Sequence, residues 1–296
     1  MKKLLLSVLI TLVGVFVYYV AFGPFSGPIH YKNQAAVLEY HDIDPHESEY
    51  SISPERFELH LKALKENHYN VVSMEDFSYF LKKEKELPPN AVVITFDDGY
   101  ESFYKYAYPI LTKEKMMATM FLIVGYVGKP PFMTWEQITT MKQQGYSFYS
   151  HTYNAHNPVM GAKGRQVTPL TEPIFLTDQK RVETEEEYIA RIKNDISKAN
   201  QICGEKIGNQ LKLLCFPHGK YTDQLIKLAK EEGIDYFITG NDGLNSPGDT
   251  QIKRIIAGAP YVTPDKLINK MNQEPTIVGK IKRTVKKLIQ ETTPHD

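Results

Sequence analysis

The chain has 296 residues and carries 35 acidic and 35 basic side chains, which is enough length for one large α/β domain or two small ones. Because the charges balance, no global field attracts nucleic acid or another polyanion, and we expect no nucleic-acid partner. Cys203 and Cys215 are too few for a disulfide framework and lack the spacing of a metal-binding pair.

The N-terminal segment has the pattern of a membrane anchor. Lys2 and Lys3 precede an uncharged apolar stretch at residues 4–22, which is long enough to span a bilayer with its N-terminus inside. A cleaved secretory signal is the alternative, although Val20-Ala21-Phe22 matches a small-residue cleavage site poorly. We therefore expect an anchor or signal helix at 1–22 and a linker at 23–34, with the remaining chain outside the cytoplasm.

Strand and helix signals alternate after the linker. Helix starts are marked by Ser53 before Pro54 and by Thr134 with Gln137, a capping-box pair. Alternation of this kind implies a parallel sheet, and no GxGxxG or Walker motif favours a nucleotide-binding open sheet. We predict an α/β fold, an irregular (β/α) barrel of seven or eight parallel strands within a catalytic domain at 35–274. The predicted strands lie at 36–40, 71–72, 91–96, 119–124, 146–150, 211–216, 235–239 and 252–257.

Two segments depart from this alternation. Residues 157–184 are rich in glycine and proline and are predicted to form a long surface loop beside a site. Residues 275–296 form a basic C-terminal helix or tail, with five basic residues between Lys280 and Lys287. The favoured interpretation is a solvated helix packed on the barrel, and contact with a membrane surface or an anionic wall polymer is the alternative. We expect the protein to be a monomer.

The most informative stretch is a buried strand, 92–96, that ends in Asp97, Asp98 and Gly99. Two acids at the end of a buried strand are costly unless they are used, one as a metal ligand and the other as a base. The alternative interpretation is an ordinary Asp-Gly turn with a solvated neighbour.

Other polar residues also follow predicted strands, and in a parallel barrel these strand ends face one mouth. One aspartate and two histidines suit a catalytic zinc, which keeps a fourth position open. His151 and His156 are not spaced to share a helix face, so a loop must bring both to the metal. The residues at these strand ends are His41, His151, His156, Pro217, His218 and Gly219.

Residues 95–99, Thr-Phe-Asp-Asp-Gly, resemble the signature of the polysaccharide deacetylases, the family 4 carbohydrate esterases. The resemblance implies that Asp97 is the catalytic base and that Asp98 binds the metal together with His151 and His156. It also implies a divalent metal as cofactor, first Zn²⁺, with Co²⁺, Ni²⁺ or Mn²⁺ as alternatives.

One branch of this family is indicated by two further motifs. The spacing of His151 and His156 is one residue longer than the family's usual motif, and residues 38–41 read Leu-Glu-Tyr-His. Both features resemble the branch that deacetylates poly-β-1,6-N-acetyl-D-glucosamine in biofilms. In that branch the motif with the catalytic acid lies on the N-terminal side, which implies that His41 is the general acid.

Residues 215–219, Cys-Phe-Pro-His-Gly, resemble the family's Arg-x-Pro-Tyr-Gly motif. The resemblance implies an oxyanion-binding N–H at His218 between Pro217 and Gly219. Cys215 stands where the family has an arginine that holds the base, so that partner is missing. Trp135 and Tyr153 are candidates for stacking on sugar faces, with core or rim packing as the alternative.

The resemblance therefore implies a metal-dependent hydrolase of linear amide bonds, anchored to the membrane or secreted to the cell surface. Its expected substrate is poly-β-1,6-N-acetyl-D-glucosamine, from which it would release acetate. The alternatives are the same chemistry on peptidoglycan or chitooligosaccharide, and a glycan-binding module without turnover. The paired aspartates and paired histidines argue against the binding module.

Overall fold

The computed structural model describes residues 27–208, 211–276, 278–279, 281 and 283–285. The predicted anchor at 1–22 lies outside these residues, as does most of the basic C-terminal segment. Among the residues described, no helix has the length and apolar character needed to cross a membrane. The expectations of an N-terminal anchor and a basic C-terminal helix therefore stay predictions.

The central element is a sheet in which every paired strand runs parallel. Its strands are β1 (Ala35–Tyr40), β4 (Asn70–Val71), β5 (Ala91–Phe96), β6 (Thr119–Leu122), β7 (Ser147–Ser150), β12 (Leu213–Cys215), β13 (Tyr236–Ile238), β14 (Gln251–Ile252) and β15 (Ile255–Ile256). The order is β14-β13-β12-β7-β6-β5-β1-β15, with β4 paired to β5. The predicted α/β fold with parallel strands is confirmed, and the sheet curves as a half-barrel.

The predicted strand 252–257 is interrupted at Lys253 and Arg254. Ile252 pairs with Ile238 of β13, whereas Ile255 pairs with Leu38 of β1. Residues 251–256 change their partner strand because β14 lies at one edge of the sheet and β15 lies at the other. The interruption places Arg254 at the junction of the two edges.

Most helices cover the outside of the sheet, and those that follow Ser53 and Thr134 begin where the sequence predicts. The Ser53 and Ser73 side chains cap the first two, and Thr134 and Thr184 form capping boxes. The segment that follows β5 forms a π-helical turn, Phe103–Ala107, and then an α-helix. The α-helices are α1 (Pro54–Glu66), α2 (Met74–Leu81), α3 (Tyr108–Glu114), α4 (Trp135–Gln143), α5 (Glu185–Ile207), α6 (Asp223–Glu231) and α7 (Pro264–Gln273).

Alternation along the strands decides which side chains face the interior of the half-barrel. Val93, Phe121 and Ile238 share one buried cluster with apolar side chains of α2. Asp97 lies four positions after Val93, and Cys215 belongs to the same cluster. A period of two residues therefore directs these polar groups toward the interior at the carboxyl end of the sheet.

The segment 157–184 is more structured than the predicted surface loop. It contains a hairpin of β8 (Val159–Met160) and β9 (Gln166–Val167), and a second hairpin of β10 (Phe175–Leu176) and β11 (Arg181–Val182). Backbone pairing satisfies polar groups that an open loop would leave to water. A further short parallel pair, β2 (Asp42–Ile43) and β3 (Ser51–Ile52), follows β1.

Candidate active site

The predicted catalytic and metal-binding residues lie together at the carboxyl ends of strands in one part of the sheet. His41 follows β1, Asp97 and Asp98 follow β5, and His151 follows β7. The segment 217–219 follows β12 and forms a 3-10 turn. Parallel pairing of β1, β5, β6, β7 and β12 places these strand ends side by side, which is the arrangement the sequence predicts.

Three side chains form a compact group of nitrogen and oxygen ligands. Nε2 of His156 lies 3.1 Å from Oδ1 of Asp98, and Nε2 of His151 lies 3.7 Å from the same oxygen. Ligands about 2.1 Å from a tetrahedral zinc are about 3.4 Å apart, so these separations suit such an ion. All three residues could therefore hold a divalent metal.

The partners of the two imidazole rings decide which nitrogen is available. Nδ1 of His151 lies 2.8 Å from the carbonyl oxygen of Cys215, which can only accept a hydrogen bond. Nδ1 of His156 lies 3.0 Å from Oδ1 of Asn157. With a metal bound, each ring would donate through Nδ1 and direct an unprotonated Nε2 toward the ion, as metal-binding histidines do.

The protonation and burial of these groups also fit a metal. Asp98 is 7% exposed, and its Oδ1 is buried without a well-aligned hydrogen-bond donor. Burial lowers the pKa of His151 to about 4, so its ring is neutral at physiological pH. Burial opposes protonation of His156 as well, but contact with Asp98 raises the pKa of that ring above its ordinary value.

Two other clusters of ligand atoms occur within the described part of the chain, and both include Asp97. One combines it with His151 and Cys215, and the other with Glu39 and His41. The guanidinium of Arg254 already forms ion pairs with Asp97 and Glu39. Burial holds the pKa of the Cys215 thiol well above its ordinary value, so the thiol stays protonated. A cation is therefore better accommodated at Asp98.

Asp97 is held by an arginine that the sequence analysis did not assign. Nη1 of Arg254 donates a hydrogen bond of 2.7 Å to Oδ1 of Asp97, and both side chains are 2% exposed. Nε of the same guanidinium lies 3.1 Å from Glu39. Burial alone would raise the pKa of the Asp97 carboxyl, but Arg254 and, more weakly, His151 lower it below its ordinary range. Asp97 is therefore ionised.

Arg254 supplies the charge that the sequence analysis found missing at Cys215. The Cys215 sulfur lies 3.8 Å from both carboxylate oxygens of Asp97, next to the base but without a charge. One sequence signal pointed to the arginine. A basic residue inside the apolar stretch 252–257 must be paired if that strand is buried.

His41 approaches the same carboxylate oxygen of Asp97 as His151 does. Its Nε2 is 3.8 Å from Oδ2 of Asp97, and its side chain is 22% exposed. The ring of Tyr50 lies 5.8 Å away and is itself exposed. His41 is thus near enough to the base to face the same substrate and open enough to be reached.

The turn at 217–219 brings the His218 side chain against the ligand loop. His218 has a φ of 56°, and its Nε2 lies 3.2 Å from the carbonyl oxygen of His156. The N–H of Gly219 donates to Phe216 and is unavailable to an oxyanion. A Cβ at Gly219 would lie 2.4 Å from the Cα of Gly240, so this position requires glycine. The assignment of the His218 N–H to an oxyanion stays a prediction.

The two predicted sugar-stacking residues differ in their surroundings. Trp135 lies in the first turn of α4 and packs partly buried against the main hydrophobic core. The ammonium of Lys198 lies 3.9 Å from the ring centroid of Tyr153, so one face of that ring is covered. A second set of aromatic residues, missed by the sequence analysis, lies around the site and comprises Tyr50, Tyr100, Tyr126 and Phe132.

A polar groove extends from the site along the segment 157–184. Its volume is about 700 Å³. Pro158, two residues after His156, and Gly219, next to His218, both line it. Its other lining residues are Arg165, Gln166, Val167, Thr168, Thr171, Glu172, Lys220, Tyr221 and Thr222.

The chain matches known proteins across this region. A family model described as polysaccharide deacetylase matches residues 84–237. A poly-β-1,6-N-acetyl-D-glucosamine N-deacetylase of Escherichia coli K12 is 30% identical over 198 residues, which is 61% of this chain and 30% of that protein. A protein of the same name from Staphylococcus aureus MSSA476 is 28% identical over 215 residues, 70% of this chain and 68% of that protein.

A solved structure has the same fold over most of the described chain. It is a de-N-acetylase from Aggregatibacter actinomycetemcomitans, with a TM-score of 0.72 and 27% identity, and the match covers 80% of this chain and 99% of that one. The family match spans just over half of the 296 residues and contains Asp97 and all three residues of the ligand group. The chain therefore belongs to the polysaccharide deacetylase family, the family 4 carbohydrate esterases.

Proposed function

We propose that this protein is a metal-dependent N-deacetylase of an extracellular polysaccharide, most specifically poly-β-1,6-N-acetyl-D-glucosamine, and that it releases acetate. One observation carries the chemical part of the proposal. An ionised carboxylate held by Arg254 lies beside a separate ligand group of Asp98, His151 and His156. A hydrolase that uses a metal and a carboxylate base needs a base that is not itself a metal ligand, and the different partners of Asp97 and Asp98 allow that division.

The role of each residue follows from its surroundings. A divalent metal bound to the ligand group would lower the pKa of a water molecule and polarise the acetamide carbonyl. Asp97 accepts the proton from the attacking water, because Arg254 keeps it ionised and oriented. His41 donates a proton to the leaving amine, which departs poorly as an anion. The N–H of His218 stabilises the developing oxyanion.

The substrate part of the proposal rests on different support. Relatives named as poly-β-1,6-N-acetyl-D-glucosamine N-deacetylases align with most of this chain. The groove beside the site has a volume of about 700 Å³, and hydrogen-bonding side chains form most of its lining. Such a groove suits an extended glycan with several sugar units. Peptidoglycan and chitooligosaccharide remain the alternative substrates, since loops rather than the fold decide specificity.

The location of the protein is part of the same proposal. The relatives are named for the deacetylation of poly-β-1,6-N-acetyl-D-glucosamine, which supports a location outside the cytoplasm. Residues 4–22 would anchor the chain with the domain outside. Mass spectrometry of the native protein tests this point, because an intact N-terminal segment is expected, whereas a mature N-terminus near residue 22 would indicate a cleaved signal.

Acetate release from defined oligomers tests the activity and the linkage together. We expect β-1,6-linked N-acetylglucosamine oligomers to be deacetylated with a higher kcat/KM than β-1,4-linked oligomers of equal length. Efficiency should rise with chain length, and a chelator should abolish release in both series. Equal or higher efficiency on β-1,4 oligomers would reject the substrate but keep the chemistry. No acetate from either series, with metal present, would support a binding module.

A further inference from the structure

The four residues between His151 and His156 are tied down by a buried carboxylate on a distant helix. Asp195 of α5 is 7% exposed. Its Oδ1 accepts a 2.9 Å hydrogen bond from the N–H of Tyr153, and its Oδ2 accepts a 2.8 Å bond from the N–H of Asn154. Both oxygens of one carboxylate therefore hold two consecutive amides of the loop that carries both histidines.

The opposite side of the same loop is held by backbone groups. The N–H of Val124 donates to the carbonyl of Thr152 at 3.0 Å, and that of Gly125 donates to Tyr153 at 2.7 Å. Thr152 has a φ of 78°, a conformation that costs free energy for a residue with a Cβ. The loop thus takes an unfavourable turn that is held from both sides, by carbonyl contacts on one and by Asp195 on the other.

We propose that Asp195 is a positioning residue for the metal site. It fixes the turn after β7 so that Nε2 of both histidines reaches Asp98 at the same time. This inference rests on the proposed metal site, because it concerns the geometry of the ligands. It assigns a role to α5, which contributes no ligand of its own and lies in a different part of the sequence from both histidines.

A purely structural role for Asp195 makes a different prediction, and the chain offers a matched control. Glu183 is also a buried carboxylate, 8% exposed, that holds backbone elsewhere. It accepts a 3.0 Å hydrogen bond from the N–H of Ile174 and pairs with Arg191. These partners of Glu183 belong neither to the histidine loop nor to the ligand group. Loss of the Glu183 carboxylate should therefore lower the stability of the fold without affecting metal binding.

The experiment compares Asp195→Asn with Glu183→Gln. In Asp195→Asn the amide NH₂ group must face one of the two loop N–H groups, so one hydrogen bond is replaced by a repulsive contact. Both purified metal-free proteins are titrated with Zn²⁺ in competition with a chromophoric chelator, and their thermal unfolding is recorded. We expect the Kd for Zn²⁺ to rise about 10–100-fold in Asp195→Asn, as for other groups that orient metal ligands. Glu183→Gln should lower Tm and keep the wild-type Kd.

The results separate this inference from the metal site itself. A wild-type Kd in Asp195→Asn, or an equal loss in Glu183→Gln, would show that Asp195 only stabilises the fold. If the wild-type protein bound no Zn²⁺, the metal site would be rejected together with this inference. Asp195→Ser is measured in parallel, because its smaller side chain leaves room for a water molecule if the asparagine variant does not fold.

Discussion

Arg254 and Asp97 form a fully buried ion pair of 2.7 Å although 157 residues separate them in the chain. The pair joins the carboxyl end of β5 to the junction between β14 and β15. Removing one partner of a buried pair leaves an unpaired charge, which is more damaging than the pair is stabilising. This contact therefore links the closure of the sheet to the charge of the proposed base.

Arg254→Met tests the role of the guanidinium, because methionine keeps part of the length but no charge. The pKa of Asp97 is lowered by Arg254, so it should rise in the variant. The base acts only when it is ionised. As the pH is lowered, the variant should therefore lose activity at a higher pH than the wild-type protein does. The pH profile of kcat/KM measures this shift of the acidic limb. Arg254→Lys is the control, because it keeps the positive charge. An unchanged acidic limb in Arg254→Met would contradict the role of Arg254 in keeping Asp97 ionised.

Asp98→Ala and His151→Ala test the metal ligands. Each variant removes one of the three ligands, and both should lose bound metal and activity together. Elemental analysis of the purified proteins measures metal content. Cys215→Ala serves as the control, since the protonated thiol is expected to contribute no ligand. Full metal occupancy in either ligand variant would reject this ligand set.

Asp97→Asn and His41→Ala test the proton-transfer roles. Neither change removes a proposed metal ligand, so both variants should retain the metal. General acid–base groups contribute about 10²–10⁴-fold to turnover, and kcat should fall by that order. Steady-state acetate release at saturating metal gives kcat. A variant with near-normal kcat would show that its residue transfers no proton.

Gln166→Ala and Lys220→Ala test whether the groove binds the glycan. Both residues line the groove but lie outside the ligand group, so KM for long oligomers should rise while kcat and metal affinity stay unchanged. Lys227→Ala on α6 is a matched surface control that should leave KM unaffected. Wild-type KM values in both groove variants would place the glycan elsewhere.

Local sequence patterns were sufficient to predict most of the fold. The apolar run at 91–96 predicted β5 with its observed bounds, since a short β-branched stretch is favourable only in a strand. The Ser53 and Thr134 caps predicted helix starts, because a capping side chain satisfies amides within its own turn. Such interactions involve near neighbours, and the residue types reveal them directly.

The same local patterns indicated the ligand group but left its organisation open. Asp97 and Asp98 are adjacent and both approach His151, so only their other contacts distinguish the carboxylate beside Arg254 from the one beside two histidines. The hairpins within 157–184 were also missed. Their two-residue strands are too short to produce a periodic pattern.

Contacts between distant segments required the three-dimensional structure. Arg254 reaches Asp97 because a two-residue interruption redirects the last strand from β13 to β1, and no local pattern encodes that change of partner. Asp195 reaches the histidine loop because α5 packs across β7, whereas its sequence context is that of an ordinary amphipathic helix. Residue types and spacing thus indicated the groups that we propose to carry the chemistry. The residues that orient these groups were revealed only by packing, because they lie 41, 42 and 157 positions from their partners in the chain.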